Sequence, residues 1–316
     1  MTQQFLALPL PAEASLDDVI AWAAIYRAQN GHKPRLFASF SGGRTSALMC
    51  KLIKERLADS FELLFVFANT GREDEDTLRF TDAVDRELKL GLVWVEAVVH
   101  GPNVACTARV VTYETASRGG EPFEAVVSKY GIPSASYSHC TRETKTNPMH
   151  NYVQKVAGWP AGSYHTALGI RADESRRVKD KAIGQWIVYP LAHWWPMDKQ
   201  DVLDYWEPFA WNLAIPERDG NCVDCHKKSD KKLALIAREH PERFIFPIKL
   251  DKLYSKVGPN SIGGVPTDAP RKRYRGYMST LEKLATFEGV DVSAIVDDEA
   301  SGGCSESCEP YEMEAI

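Results

Sequence analysis

Apolar residues recur along the chain with two alternating periods. Arg35 to Phe40 reads as a short strand, and beyond it Leu48, Met49, Leu52, Ile53 and Leu57 return at helical spacing. Leu63 to Ala68 is again a continuous apolar run, the polar and acidic stretch from about Glu75 to Leu88 reads as a helix, and Leu92 to Val99 as a third strand. This β-α-β-α-β order predicts an α/β fold. Its sheet is doubly wound and mainly parallel, with helices on both faces and ligands received at the carboxyl ends of the strands. Upstream, Ser15 and Asp18 precede Val19, Ile20, Ala23 and Tyr26 with the cap and spacing of a leading helix that Gly31 closes.

From His100 to Trp159 the periodicity fades into Gly, Pro, Ser and Tyr-rich sequence, interrupted by a helix opening at Pro148 and stopping near Gly158. This segment is expected to be an insertion that forms part of a substrate site. The pattern resumes with strands at Tyr164 to Ile170 and Trp186 to Leu191, then helices at Asp198 to Trp206 and Ser229 to His240, the last halted by Pro241. The organisation expected is therefore a nucleotide-binding domain over 1–250, with the insertion at about 100–160 and a cysteine-containing segment at 220–229. An extension over 251–316 follows, ending in a mobile acidic tail from Asp297.

Composition narrows the class. A chain of 316 residues, 44% hydrophobic and 26% charged, is neither disordered, collagen-like nor a coiled coil. No apolar run approaches the ~20 residues of a membrane-spanning helix, so no membrane partner is expected. The opening MTQQFLALPLPAEA lacks the regions of a secretory signal, which predicts a cytoplasmic protein. A net charge of -5 argues against a general DNA coat. Seven cysteines, an odd number in such a chain, predict reduced thiols with catalytic or metal-binding roles.

Ser41, Gly42, Gly43, Arg44, Thr45 and Ser46 fall where a strand hands over to a helix, so backbone amides at the positive helix end can face a pyrophosphate. The loop has neither the G-K-[ST] of a Walker motif nor a G-x-G-x-x-G fingerprint. Together with FANTGRED at Phe67 to Asp74, HCTRETKTNP at His139 to Pro148, LGIRADESRR at Leu168 to Arg177, YPL at Tyr189 to Leu191 and GNCVDCHKKS at Gly220 to Ser229, it makes residues 35 to 247 resemble a known family. That family is the phosphoadenosine phosphosulfate (PAPS) reductase-like branch of the adenine-nucleotide alpha-hydrolase, or PP-loop ATP pyrophosphatase, superfamily.

The resemblance implies a nucleotide site made by Ser39, Ser41, Gly42, Gly43, Arg44, Thr45 and Ser46, with Arg44 standing where lysine is common. It places Asn69, Thr70 and Gly71 beside the adenosine, and makes Gly169 and Arg171, with Asp173 and Glu174, a second anion-binding segment. Arginine offers phosphate a planar fork, and the carboxylates can orient it or help hold Mg²⁺. Lys145 puts charge near phosphates or lies on a solvated face. Because the SGG core is intact, the implied reaction is cleavage of Mg²⁺-bound ATP to AMP and pyrophosphate, adenylating an acceptor for sulfur incorporation. The alternatives are a PAPS or adenosine phosphosulfate reductase releasing sulfite, and a non-catalytic nucleotide-binding accessory of a phage or CRISPR-type complex. RNA or DNA is a candidate acceptor, and Arg271, Lys272, Arg273 and Arg275 with Tyr274 and Tyr277 form either a nucleic-acid contact or a surface helix.

Cys222 and Cys225 form a C-x-x-C that can clasp a soft metal. In the family such a pair is joined by a cysteine that here is Cys140, implying a [4Fe-4S] cluster; a Zn²⁺ site and uncomplexed or disulfide thiols are the other readings. His226, Cys106, Cys304 or Cys308 are candidates for a fourth ligand, whereas Cys50 reads as a small buried hydrophobe.

Overall fold

The computed structural model of the chain describes residues 10, 13–134, 137–178, 186–258 and 270–290. Cys304, Cys308 and the acidic tail from Asp297 lie outside the described residues. The strands are β1 (Arg35–Phe40), β2 (Glu62–Asn69), β3 (Val93–Val98), β4 (Thr107–Val111), β5 (Tyr164–Ala167) and β6 (Ile187–Val188). They form one sheet in the order β4-β3-β2-β1-β5-β6. The pairs β1–β2, β1–β5 and β5–β6 are parallel, with Arg35 opposite Glu62 and Tyr164, and β3–β4 is antiparallel. With its flanking helices this is an α/β fold on a mostly parallel, mixed sheet. Among the described residues no helix is long and apolar enough to cross a membrane.

The chain divides into two compact units. The first comprises Met1–Phe67, Arg79–Val93 and Val153–Leu213. Its helix α1 (Leu16–Asn30) opens with the expected capping box between Ser15 and Asp18 and closes at Gly31, whose φ of 74° suits glycine. After β1, α2 (Arg44–Leu57) buries Ala47, Leu48, Met49, Cys50, Ile53 and Leu57 on one face, and burial of each large apolar side chain contributes about 1.5–3 kcal/mol. The α3 helix (Glu75–Leu88) covers the expected range. Leu10 reaches His165 in β5, its backbone N–H donating to Nε2 at 3.1 Å, and burial pushes the imidazole pKa down to about 4. The strand expected over Trp186 to Leu191 is reduced to Ile187–Val188, because Pro190 opens a helical turn, α7 (Pro190–His193), which follows α4 (Glu121–Tyr130), α5 (His139–Thr141) and α6 (Asn147–Asn151) of the second unit. Helix α8 (Lys199–Trp206) is capped by Asp198, and Trp206 meets Phe80 edge-on with centroids 5.3 Å apart.

The second unit comprises Ala68–Leu78, Trp94–Tyr152 and Ala214–Ile316. The segment expected to be irregular from His100 contains β4 and α4 (Glu121–Tyr130), framed by Gly120 (φ 88°) and Gly131 (φ 82°). The helix expected from Pro148 begins nine residues earlier. It runs through α5 (His139–Thr141), a π-helical turn over Arg142–Thr146, α6 (Asn147–Asn151) and a second π-helical turn over Tyr152–Val156. Asn151 Oδ1 accepts the Ala108 N–H of β4 at 3.0 Å, so a side chain takes up a donor on this edge strand. Ser229 caps α9 (Asp230–Glu239), followed by α10 (Ile245–Tyr254) and α11 (Thr280–Ala285). Leu233, Ile236, Phe244 and Tyr274 form a core here. The surface helix expected around Arg271 to Arg275 is corrected: Arg273 is only 1% exposed and Tyr274 is buried, in a non-helical stretch closed by a bridge between Tyr274 and Met278.

Candidate functional site

In the first unit, β1 ends at Phe40 and the chain turns through Ser41, Gly42 and Gly43 into α2. Gly42 takes φ 86°, a conformation that β-carbon sterics disfavour. Gly43 is the N-cap, with ordinary extended φ/ψ of -102° and 163°, and no side chain caps the helix. A β-carbon added at Gly43 would meet only Ser41 Oγ, at 3.9 Å. Neither backbone strain nor packing among the described residues therefore demands glycine there. The first turn of α2 carries no acidic residue of its own to offset the positive helix end.

The side chains of the loop brace it. Ser46 Oγ accepts from Ser41 N at 3.1 Å and Ser41 Oγ at 3.0 Å, and donates to Gly43 O at 2.9 Å. Ser39 is buried in β1. The Arg44 guanidinium donates Nε to Asn212 Oδ1 at 2.8 Å and Nη2 to Leu213 O, while Arg44 O accepts the Trp206 indole N–H at 3.0 Å. Gly169, just past β5, allows the close approach: a β-carbon there would stand 3.1 Å from Ser46 Cα. Arg171 is clamped by Asp173, Nε to Oδ1 at 2.9 Å and Nη2 to Oδ2 at 3.0 Å, and its Nη1 points at Thr45 Oγ1 at 3.4 Å. Glu174 accepts the Arg171 N–H at 3.1 Å and pairs with Arg177 at 2.6 Å. The loop, Gly169, Arg171, Asp173 and Glu174 are thus gathered in one place.

Asn69, Thr70 and Gly71 belong to the second unit, where their polar atoms are spent on one another and on their surroundings. Asn69 Nδ2 donates to Glu96 Oε1 at 2.7 Å and Ser117 O at 2.9 Å, and its Oδ1 accepts the Gly71 N–H at 3.1 Å. Thr70 Oγ1 donates to Glu73 at 2.9 Å. Gly71 (φ 76°) packs so closely that a β-carbon would lie 3.0 Å from Gly120 Cα. Glu96 also accepts Ser117 N at 2.6 Å and Arg109 Nη2 at 2.6 Å. Lys145 is buried in the first π-helical turn.

The cysteine segment folds as a turn in which Cys225 N donates to Cys222 O at 3.1 Å and the two side chains pack together. Val223 N donates to Arg72 O at 3.0 Å, and Cys222 Sγ lies 3.5 Å from Thr70 Oγ1. Asp224 is buried between Arg72, whose Nε lies 3.4 Å away, and Arg273, whose Nη2 lies 3.4 Å away. Burial pushes this carboxyl up, but the two guanidinium charges outweigh it and hold its pKa below the usual range. Cys140 packs separately with Phe123, Val127, Ile132 and Leu250. Beside it, His139 is 1% exposed, and burial with the charges of Arg271 and Arg142 pushes its pKa down to about 3. His226 and Lys228 are buried, the latter donating to Gly220 O at 2.8 Å. Burial raises the Cys50 thiol pKa, and burial with Glu143 pushes Cys106 up to about 12. Among the described residues no three His, Cys, Asp or Glu side chains are gathered as a metal-ligand group.

The sequence reading missed Glu96, Asp224 and Asn212 as polar anchors. Asp224 lies inside the C-x-x-C motif, where its acidic side chain is a visible signal; Glu96 and Asn212 acquire partners only through tertiary packing.

No protein-family model and no solved structure matches the chain. Among curated proteins it is 32% identical over 285 residues to the "Uncharacterized nin region protein ORF290" of Escherichia phage lambda, an alignment covering 86% of this chain and 94% of that protein. Two Methanocaldococcus jannaschii proteins match shorter stretches. "Uncharacterized protein MJ0066" is 25% identical over 51% of this chain and 30% of its own length, and "Uncharacterized protein MJ0973" is 28% identical over 37% and 22%.

Proposed function

The chain belongs to the family of the Escherichia phage lambda nin region protein ORF290, and we propose that it is an ATP pyrophosphatase cleaving ATP between its α and β phosphates. The observation that carries this reading is Gly43. Glycine stands at the N-cap of α2 where neither φ nor, among the described residues, a neighbouring protein atom requires it, so the space before the loop suits a ligand approaching the backbone closely. An uncapped helix start favours an anion there by about 0.3–1 kcal/mol, and phosphate oxygens can accept its amide hydrogens.

In this reading Mg²⁺ arrives with ATP as part of the substrate. Arg171, held in orientation by Asp173, offers Nη1 beside Thr45 to the pyrophosphate. An acceptor oxygen attacks the α-phosphorus, the α–β P–O bond breaks, and pyrophosphate leaves with the electron pair; with water as acceptor the products are AMP and pyrophosphate. An adenylated acceptor would then be ready for sulfur incorporation. Ser46 and Arg44 hold the loop in shape, Ser46 by its three hydrogen bonds and Arg44 through Asn212 and Leu213.

The test incubates the full chain separately with Mg²⁺-ATP labelled at the α-phosphate and with PAPS. Equal amounts of AMP and pyrophosphate from ATP, with no sulfite from PAPS, are expected; sulfite from PAPS without AMP from ATP would overturn the proposal. Gly43→Ala should retain the fold, because its added β-carbon meets only Ser41 Oγ among the described residues, at 3.9 Å, yet lose at least tenfold in ATP affinity by equilibrium dialysis.

A further inference from the structure

The C-x-x-C turn has chemistry independent of the glycine loop. Cys222 and Cys225 pack against each other, while Cys140 and Cys106 sit in other clusters of this unit. The Cys225 N–H to Cys222 carbonyl bond marks a four-residue turn, which brings its end Cα atoms within about 7 Å, overlapping the roughly 4.4–6.8 Å span that a disulfide bridges. Both residues are buried, 5% exposed for Cys222 and 7% for Cys225, which leaves less room for a protein disulfide to dock than for a small oxidant. The same turn is joined to the start of the Thr70–Glu73 segment. Val223 N–H donates to Arg72 O, Cys222 Sγ touches Thr70 Oγ1, and the Asp224 carboxylate faces Arg72.

We propose that Cys222 and Cys225 form a reversible dithiol–disulfide pair, oxidised by small hydroperoxides, whose state is passed to the Thr70–Glu73 turn. One cysteine sulfur attacks a peroxide oxygen, the O–O bond breaks, and a sulfenic acid forms as the other oxygen leaves, as water when the oxidant is hydrogen peroxide. The second thiol attacks the sulfenic sulfur, expelling water and closing the S–S bond. In sum, dithiol and hydrogen peroxide give disulfide and two waters, and a small dithiol reverses the change by exchange. An S–S bond of about 2.05 Å redirects the Cys222 sulfur towards Cys225 and away from Thr70. Through Val223 and Arg72, the turn that carries Asn69, Thr70 and Gly71 registers the event.

The experiment uses the full chain, treated with stoichiometric hydrogen peroxide, alkylated and digested for mass spectrometry. The peptide spanning Cys222 and Cys225 should escape alkylation and weigh two hydrogens less than the unmodified dithiol, and after dithiothreitol it should again take up two alkyl groups. Cys222→Ser and Cys225→Ser should each stop at a sulfenic acid that dimedone traps. If both cysteines remain alkylatable while others oxidise, or if the purified chain carries one equivalent of metal bound to this pair, the dithiol assignment fails. Hydrogen exchange on the wild-type chain reads the coupling. The Val223 and Arg72 amides should exchange at least tenfold faster after oxidation, and unchanged rates at both would overturn transmission to the turn. Neither measurement uses ATP, so its result is separate from that of nucleotide cleavage.

Discussion

The corner between β1 and α2 in the first unit and the C-x-x-C turn in the second spend their polar groups differently. At the corner, Ser41, Ser46 and Arg44 turn their side chains onto the loop and onto Asn212 and Leu213, while no side chain caps the first helical turn. At the cysteine turn, charges face charges: Asp224 is enclosed by Arg72 and Arg273, and Val223 ties its backbone to Arg72. The corner is rigid in its side chains and open along its backbone, which is what the proposed anion site requires. An arrangement that closes on itself must settle buried charge internally, since stranding one member of a buried pair costs far more than the intact pair contributes.

Acidification tests both regions together and should give the largest change. His139 and His150 in the second unit, and His165 in the first, are held neutral by burial, with pKa values pushed down to about 3, 4 and 4. The unfolded chain protonates near pH 6.5, whereas the folded chain does not until much lower pH. Stability is therefore lost progressively below pH 6.5, at roughly 1.4 kcal/mol per pH unit for each histidine. Melting temperature should fall from pH 7.5 to pH 5, and a flat curve would show that these imidazoles gain protons without unfolding. His165 is distinct in that Leu10 uses its Nε2 lone pair, so His165→Phe should also release that anchor.

Asp224→Ala comes next. It strands Arg72 and Arg273 and should cost about 3–5 kcal/mol in urea unfolding; a loss below ~1 kcal/mol would mean that the two guanidinium groups find other partners and that the turn is not closed by charge. The sign with pH is opposite in origin but the same in direction: the lowered Asp224 pKa stabilises the fold above the unfolded carboxyl value of ~3.9 and this contribution disappears as pH falls through the folded value. Ser46→Ala removes three hydrogen bonds from the glycine loop. A stability loss of about 1–3 kcal/mol is expected, accompanied by at least a tenfold drop in AMP formation. Arg44→Lys should be mildest, near 1 kcal/mol, because a single ammonium replaces a fork that reaches Asn212 and Leu213 together. A larger loss of AMP formation than from Ser46→Ala would move Arg44 from bracing the loop to meeting the nucleotide.

The β-α-β-α-β stretch from Arg35 to Val98 was legible because each element keeps one period throughout and buries a continuous face. In the segment after His100 the signals were present but fragmented. Helix α4 buries Phe123, Val126, Val127 and Tyr130 at helical spacing, yet it is only ten residues long and carries Pro122 in its first turn. β4 is an edge strand with Val110 exposed, so it lacks the apolar run of an interior strand. The helix from His139 escaped detection upstream of Pro148 because a π-helical turn shifts the repeat away from 3.6 residues. At the candidate site, the glycine loop and Arg171 were readable from residue type and position. The engagement of Asn69 with Glu96 and the burial of Arg273 were not, since both depend on partners 27 and 49 residues away in sequence.

The two π-helical turns between Arg142 and Val156 also constrain how this part of the chain can change. Each wide turn takes up about one residue more than an α turn, so a single deletion inside it can be absorbed by tightening to α geometry, whereas the same deletion from α6 would turn Asn151 by about 100° about the helix axis. Asn151 would leave the Ala108 amide, exposing a strand donor to chance pairing with another chain. A descendant can therefore lose one codon from a wide turn and keep the guard on β4, but a codon lost from α6 calls for a new one.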